Sequence, residues 1–325
     1  MIVPKYWAEG RAFHRRSNRQ VTVRRFGWSN ESEADAQLMA DDRANEALQL
    51  ILSGERLPRR ELKVGYNGAD GVPIREEIVS TYGSTVITRN SYGALCMNTP
   101  DTLFADIDFT HEPHLVLALV VFLATVLAHF YIGWIQHQKM LQAFFLITSL
   151  SRSIAIAWGA AWVISKVFGN PENVARRRIA RFVDSHREWN LRLYRTPAGF
   201  RVLATHQQFV PTDPAVNDCF RALGADRLYV KMCLKQHCFR ARVSPKPWRI
   251  GIDAHLKPRP GVWPISADRM PDRLAWVEKY ERAASGYAAC EFIESVGSGI
   301  VSSQIRDVIE LHDKLSQATS GRPIA

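Results

Sequence analysis

The sequence predicts an α+β protein: a ferredoxin-like βαββαβ sheet interrupted by a two-helix transmembrane hairpin, with an α/β N-terminal module and a helical C-terminus. Three observations carry that expectation. From residue 103 onward, short β-branched and aromatic runs alternate with helical periods in the order strand, helix, strand, strand, helix, strand. Two long apolar segments, 115–135 and 141–168, fall inside the first crossover. Beyond the Pro/Gly-rich break at 258–264, two amphipathic helical patterns close the chain. The expected units are 1–100 as the N-terminal module, 101–110 with 170–257 as the split sheet domain, 115–168 as the hairpin and 265–325 as C-terminal helices.

The N-terminal module opens on a basic arm, Arg11, His14, Arg15, Arg16 and Arg19, leading into an alternating strand over 20–26. Residues 31–53 read as a helix, capped by Ser29 or Asn30, acidic in its first turn and stopped by Gly54. Turn chemistry occupies 66–71, a short helix is expected over 74–82, and 85–89 with 93–97 form a hairpin. Its turn, around Asn90, Tyr92 and Gly93, is either a plain reversal or the lining of a site.

In the split domain, strands are expected over 103–109, 189–194 and 200–205, with Thr196-Pro197-Ala198-Gly199 as a tight turn. Helices are expected over 173–185 and 213–223, the latter ended by Gly224, and the fourth strand lies over 227–232 or 238–243. C-terminal helices are expected over 271–285 and 302–315, with Ile305, Val308, Ile309 and Leu315 on one packing stripe.

The first apolar segment carries no formal charge, and only Thr125, His129 and Gly133 interrupt it. At about 1.5 Å per helical residue it is long enough for a bilayer core of about 30 Å, with Tyr131 and Trp134 suited to the interface. The second is interrupted by Gln142, Arg152 and Lys166, so Arg152 must snorkel, pair or mark an interfacial start. A buried helical hairpin is the alternative. Arg176, Arg177, Arg178 and Arg181 follow the second segment while the link carries only Lys139. The positive-inside rule then places both soluble flanks in the cytoplasm, at a bacterial inner membrane. Residues 1–28 are too rich in arginine to form an apolar targeting core.

Five cysteines, Cys96, Cys219, Cys233, Cys238 and Cys290, are an odd number without repeated Cys-x-x-Cys spacing, which argues against a disulfide framework or structural zinc. Cys233 and Cys238 around His237 read as buried thiols ahead of metal ligands. A net charge of +10 favours an anionic partner: nucleic acid, nucleotide or anionic lipid. Hydrolytic classes find little support, because Gly-x-Ser-x-Gly, His-Glu-x-x-His and Walker-type loops are absent. Gly297-Ser298-Gly299 reads as a helix-connecting turn.

The chemistry-bearing candidate is Asp106 with Asp108. One residue apart on a strand, both side chains point to one face, where their mutual repulsion is relieved by a hard cation such as Mg²⁺ or Mn²⁺. With Thr196-Pro197-Ala198-Gly199-Phe200-Arg201, Asp226 and the basic run Arg240-Ala241-Arg242-Val243-Ser244-Pro245-Lys246, this strand resembles the catalytic core of the archaeo-eukaryotic primase and primase-polymerase superfamily over about 103–246. The resemblance implies an RRM-like sheet and metal-dependent nucleotidyl transfer. Asp106, Asp108 and Asp226 would then hold Mg²⁺ or Mn²⁺, with Asp253 a rival for the third position. Arg201 would clamp phosphate, Arg240, Arg242 and Lys246 would neutralise phosphates, and Trp248 would offer a stacking surface.

The pattern departs from that family in two ways. Arg201 stands where a histidine is expected after Gly199, with His206 at the far end of the strand, and a membrane hairpin splits the core. The expected function is a membrane-anchored, metal-dependent, primase-related nucleotidyltransferase acting on nucleotides or nucleic acid. The alternative is a non-catalytic integral membrane protein whose basic cytoplasmic domain binds nucleic acid, nucleotide or anionic lipid, or serves assembly.

Overall fold

The computed structural model describes residues 3–16, 19–64, 72–109, 170–259 and 261–325, together with isolated helical positions between 119 and 159. The N-terminal elements are two long strands, β1 (Tyr6–Arg16) and β2 (Arg19–Ser29), paired antiparallel and crossed by α1 (Glu33–Leu52). The basic arm is therefore itself a strand, and Ser32, not Ser29 or Asn30, caps the helix by accepting the Asp35 N–H. Ala36, Ala40, Ala44 and Ala47 face the hairpin and are buried. Small side chains on the helix and glycines on the strands let the backbones come together: a Cβ on Gly10 would meet the Ala40 carbonyl oxygen, and one on Gly27 the Ala36 carbonyl oxygen.

A four-stranded antiparallel sheet follows, in the order β3-β4-β5-β9, from β3 (Glu77–Tyr82), β4 (Thr85–Arg89), β5 (Leu95–Thr99) and β9 (Phe239–Arg242). The expected helix over 74–82 is thus a strand. Ile78, Val79, Thr81 and Tyr82 favour extended backbone, and Gly83 at φ 56° closes the reversal into β4.

The second sheet has the order β10-β7-β8-β6, from β6 (Phe104–Asp108), β7 (Asn190–Thr196), β8 (Gly199–Ala204) and β10 (Glu291–Gly297). Helices α2 (Pro171–Ser185) and α3 (Pro214–Leu223) bury Ile179, Phe182, Val216 and Phe220 in the same core as Leu193, Phe200 and Val202. Strand, helix, strand, strand, helix is therefore the observed order from residue 104. Its completion differs from the expectation, since residues 227–236 form helix α4 (Arg227–Gln236) and β9 pairs with β5. Tyr229, Cys233 and Gln236 are buried at helical spacing, and the Asp226 cap starts the helix, which overrides the strand-like run Leu228-Tyr229-Val230.

The fourth strand of this sheet is β10, antiparallel to β7 from Glu291 opposite Arg195 to Gly297 opposite Asn190. Gly297 sits at φ 119°, where a Cβ would meet the Trp189 carbonyl oxygen. The Gly297-Ser298-Gly299 turn consequently ends a strand. Helices α5 (Met270–Ala284) and α6 (Ser303–Ser316) complete the C-terminus, α6 burying Ile305, Ile309 and His312.

Among the described residues no helix is long and apolar enough to cross a membrane. The fold class is accordingly corrected to a mixed α/β architecture without the transmembrane hairpin expected over 115–168. Most of that segment lies outside the described residues, and its described helical positions come in runs of at most three. Apolar composition sets only an upper length for a span; a span also needs about 20 continuous helical residues. The two-helix membrane partnership and the inner-membrane location rested on that hairpin and are withdrawn with it.

Candidate functional site

The candidate site lies where the end of β6, the start of α4 and the segment after β9 meet. Along β6, Phe104, Ala105 and Ile107 are buried, Asp106 is intermediate and Asp108 is exposed at the strand end. The period of two puts both carboxylates on one face, as expected.

Asp106 is opposite Arg201 in the register of β6 and β8. Arg201 Nε donates to Asp106 Oδ1 at 2.8 Å, Nη2 donates to Oδ2 at 3.2 Å, and Nη1 donates to the Arg242 carbonyl at 2.8 Å. The arginine is 2% exposed. Burial opposes its charge, yet the Asp106 carboxylate more than compensates and raises its pKa. With every side of the guanidinium engaged, Arg201 joins β6 to β9 and has no fork free for phosphate. Asp106 retains unused lone pairs, since each carboxylate oxygen accepts more than one hydrogen bond.

Asp226 is brought to the same strand. Its backbone N–H donates to the Asp106 carbonyl at 2.8 Å, and the Tyr229 hydroxyl donates to the Phe104 carbonyl at 2.9 Å. The Asp226 carboxylate caps α4, accepting from the Leu228 and Tyr229 N–H groups at 3.4 and 2.9 Å. The rival Asp253 is exposed and makes no hydrogen bond or ion pair among the described residues.

Asp108 records this gathering electrostatically. Partial burial raises its pKa first, the carboxylates of Asp106 and Asp226 raise it further, and Lys246 and Arg242 pull against them. Lys246 is held below the ordinary lysine range by burial and by Arg242 and Arg249. Arg249 is lowered by burial and by Arg242. Arg242 Nε and Arg249 Nη1 are buried without a hydrogen-bond partner. Trp248 is 51% exposed, with Lys246 Nζ 5.3 Å from its ring centroid and the Tyr92 ring edge-on at 5.2 Å.

Arg240 does not belong to this group. Its Nη2 donates to both Glu76 carboxylate oxygens at 2.9 and 2.7 Å and its Nη1 to Asn98 at 2.9 Å, a buried pair that fixes β9 against β5. Two residues farther along the same strand face, Arg242 is half-buried within electrostatic reach of Asp108. His206 packs against Trp189 and Phe209 and accepts the Asn190 N–H at 3.4 Å, away from the acids. Cys233 and Cys238 are buried thiols, and burial pushes the latter up to about 11. Among the described residues, no group of three or more His, Cys, Asp or Glu is arranged to hold a metal ion.

Arg249 was not legible as a site residue. Its run, Pro247-Trp248-Arg249, is a single 3-10 turn whose direction depends on β9 being in the first sheet. A second unforeseen cluster lies inside the core. Cys290 Sγ is 4.0 Å from His312 Nε2, His312 Nδ1 is 3.1 Å from Asp313, and Asp313 accepts from Tyr194 at 2.7 Å and Arg192 at 2.6 Å. Cys290 and His312 are fully buried, and the network holds α6 to the sheet, reaching a surface pocket only at Arg192 and Asp313.

Comparison with protein-family models, curated proteins and solved structures found no match. The expectation of a membrane-anchored, primase-related nucleotidyltransferase therefore has no relative behind it, and no helix among the described residues is long and apolar enough to anchor it. The alternative of an integral membrane protein fails on the same helix finding. Both readings are withdrawn.

Proposed function

We propose that this site binds a phosphorylated ligand through one divalent cation, Mg²⁺ or Mn²⁺, held by Asp108 and Asp106. Asp226 acts on that cation from the next position out, because its oxygens already cap α4. Lys246, Arg242 and Arg249 neutralise the phosphate oxygens.

One juxtaposition carries the reading: Asp106, Asp226, Lys246 and Arg242 all lie within electrostatic reach of Asp108, and Arg249 interacts with both Arg242 and Asp108. Like charges crowded on β6 favour a cation between them. Magnesium usually takes only one or two carboxylates, filling its octahedron with water and phosphate oxygens. A site of this class needs no cage of three protein ligands, which fits the donor set here. Arg242 and Arg249 each keep one buried guanidinium nitrogen without a protein partner, which a phosphate oxygen can accept from.

The test is Mn²⁺ titration by electron paramagnetic resonance, with and without pyrophosphate, on the full chain. Wild type should bind Mn²⁺ more tightly when pyrophosphate is present, Asp108→Asn should abolish that gain, and Lys246→Ala should weaken pyrophosphate while leaving the metal alone unaffected. Equal Mn²⁺ binding by wild type and Asp108→Asn would overturn the proposal.

A further inference from the structure

Helices α3 and α4 form a second surface that the cation-assisted site does not use. Gly224, in left-handed conformation at φ 71°, ends α3, and the Asp226 cap starts α4 two residues later. Between the two helices lies a groove of about 700 Å³. Phe220, Val230 and Leu234 give it an apolar floor. Tyr229, Cys233 and Gln236 are the buried residues of α4, so the groove is lined by a separate stripe of that helix.

The rim is cationic. Arg227, Lys231 and Lys235 follow one another at intervals of four residues, about 6 Å apart along one helix edge. None of the three forms an ion pair among the described residues, and no carboxylate lines the groove. Arg221, across on α3, is the neutralised member, paired with Asp218 at 2.6 Å. Three unneutralised cations on one helix edge repel each other, and an acidic partner removes that repulsion.

The geometry points to an interaction surface: this groove docks an acidic amphipathic helix of a partner protein. Carboxylates spaced four residues apart meet Arg227, Lys231 and Lys235 while apolar side chains enter against Phe220, Val230 and Leu234. Three comparisons select that occupant. A nucleic-acid backbone matches the cations but gains nothing from an apolar floor. The chain's own segment 110–169, which holds most of the residues outside the described set, contains a single acid, Glu112, and cannot match three cations. A second copy carries the same net charge of +10, which opposes self-association.

The experiment uses a fluorescein-labelled designed helical peptide with glutamate at every fourth position and leucines on the adjoining face, titrated with the full chain by fluorescence anisotropy. Wild type should bind it, with affinity falling as salt rises. A scrambled peptide of equal composition should bind roughly tenfold more weakly, as should the Lys231→Glu/Lys235→Glu variant with the designed peptide. Leu234→Asp should cause a loss of similar size, and circular dichroism melting should show each variant folded. Equal binding of designed and scrambled peptides overturns the proposal. So does duplex DNA that displaces the peptide and is indifferent to Leu234→Asp, or a dimer in sedimentation that Leu234→Asp dissociates.

Discussion

Truncating Asp106 leaves the Arg201 guanidinium at 2% exposure with only the Arg242 carbonyl as a partner. Breaking a buried pair in this way costs about 3 kcal/mol, so Asp106→Ala should lower the urea midpoint strongly. Asp108→Asn should not. The Asp108 pKa is raised in the folded state by partial burial and then by Asp106 and Asp226. A raised acid favours the fold fully below its unfolded pKa of about 3.9, and that contribution is lost as pH rises through the folded value. At neutral pH the charged Asp108 therefore opposes folding, and Asp108→Asn should melt at or above the wild-type temperature while losing Mn²⁺. Two acids on one strand face should thereby be separable, stability being expected to follow Asp106 and the proposed cation affinity Asp108. The same raised pKa means that Mn²⁺ affinity should decline on acidification at a pH above the ordinary aspartate range.

At the scale of elements, close approach and capping decide the outcome. Gly27→Ala forces a Cβ onto the α1 backbone at Ala36 and Ala40, where no flexible side chain can move aside. Overpacking of this kind costs about 1–3 kcal/mol, and limited proteolysis should then cut the β1–β2 hairpin faster. Asp226→Ala removes the α4 cap, at about 1 kcal/mol, and loosens the α4 start that lies against β6. The secondary elements were mostly legible because their signals are local. Gly54 and Gly224 follow the ends of their helices where the pattern places them. The segment 74–82, expected as a helix, holds a strand, and of the two segments offered for the fourth strand 227–232 is helical while 238–243 holds β9. In each, strand-forming and helix-forming residues are mixed, and tertiary burial chose between them.

For the whole molecule, the final forty residues complete a sheet whose first strand begins at Phe104. The buried Cys290–His312–Asp313 network fastens that closure. Burial acts to lower the His312 pKa, but its contacts with Asp313 and Cys290 raise it above 6.5. Stability from this histidine is fully present below its unfolded pKa and is lost as pH rises through the folded value. Asp313, opposed by burial but drawn down by His312 and Tyr194, contributes stability above its unfolded pKa that disappears as pH falls through the folded value. Global unfolding followed by denaturant at several pH values should show both limbs, and His312→Gln should flatten the alkaline one.

What the chain settled by itself is one-dimensional: the alternation that puts Asp106 and Asp108 on a common face, the caps and stops, the buried thiols and the basic balance. Partner choice belonged to the tertiary structure. Arg201 and Arg240 read as free cations in sequence, yet register places each beside a carboxylate, Asp106 and Glu76, which removes them from ligand contact. The fourth strand came from residues 291–297, almost two hundred positions from β6, and β9 went to the other sheet. Strand pairing depends on hydrogen-bond edges and core volume contributed by distant segments, and no window of sequence contains both sides of such a contact. Apolar length at 115–168 likewise satisfied one condition for a span, whereas a continuous helix is a property of the folded chain.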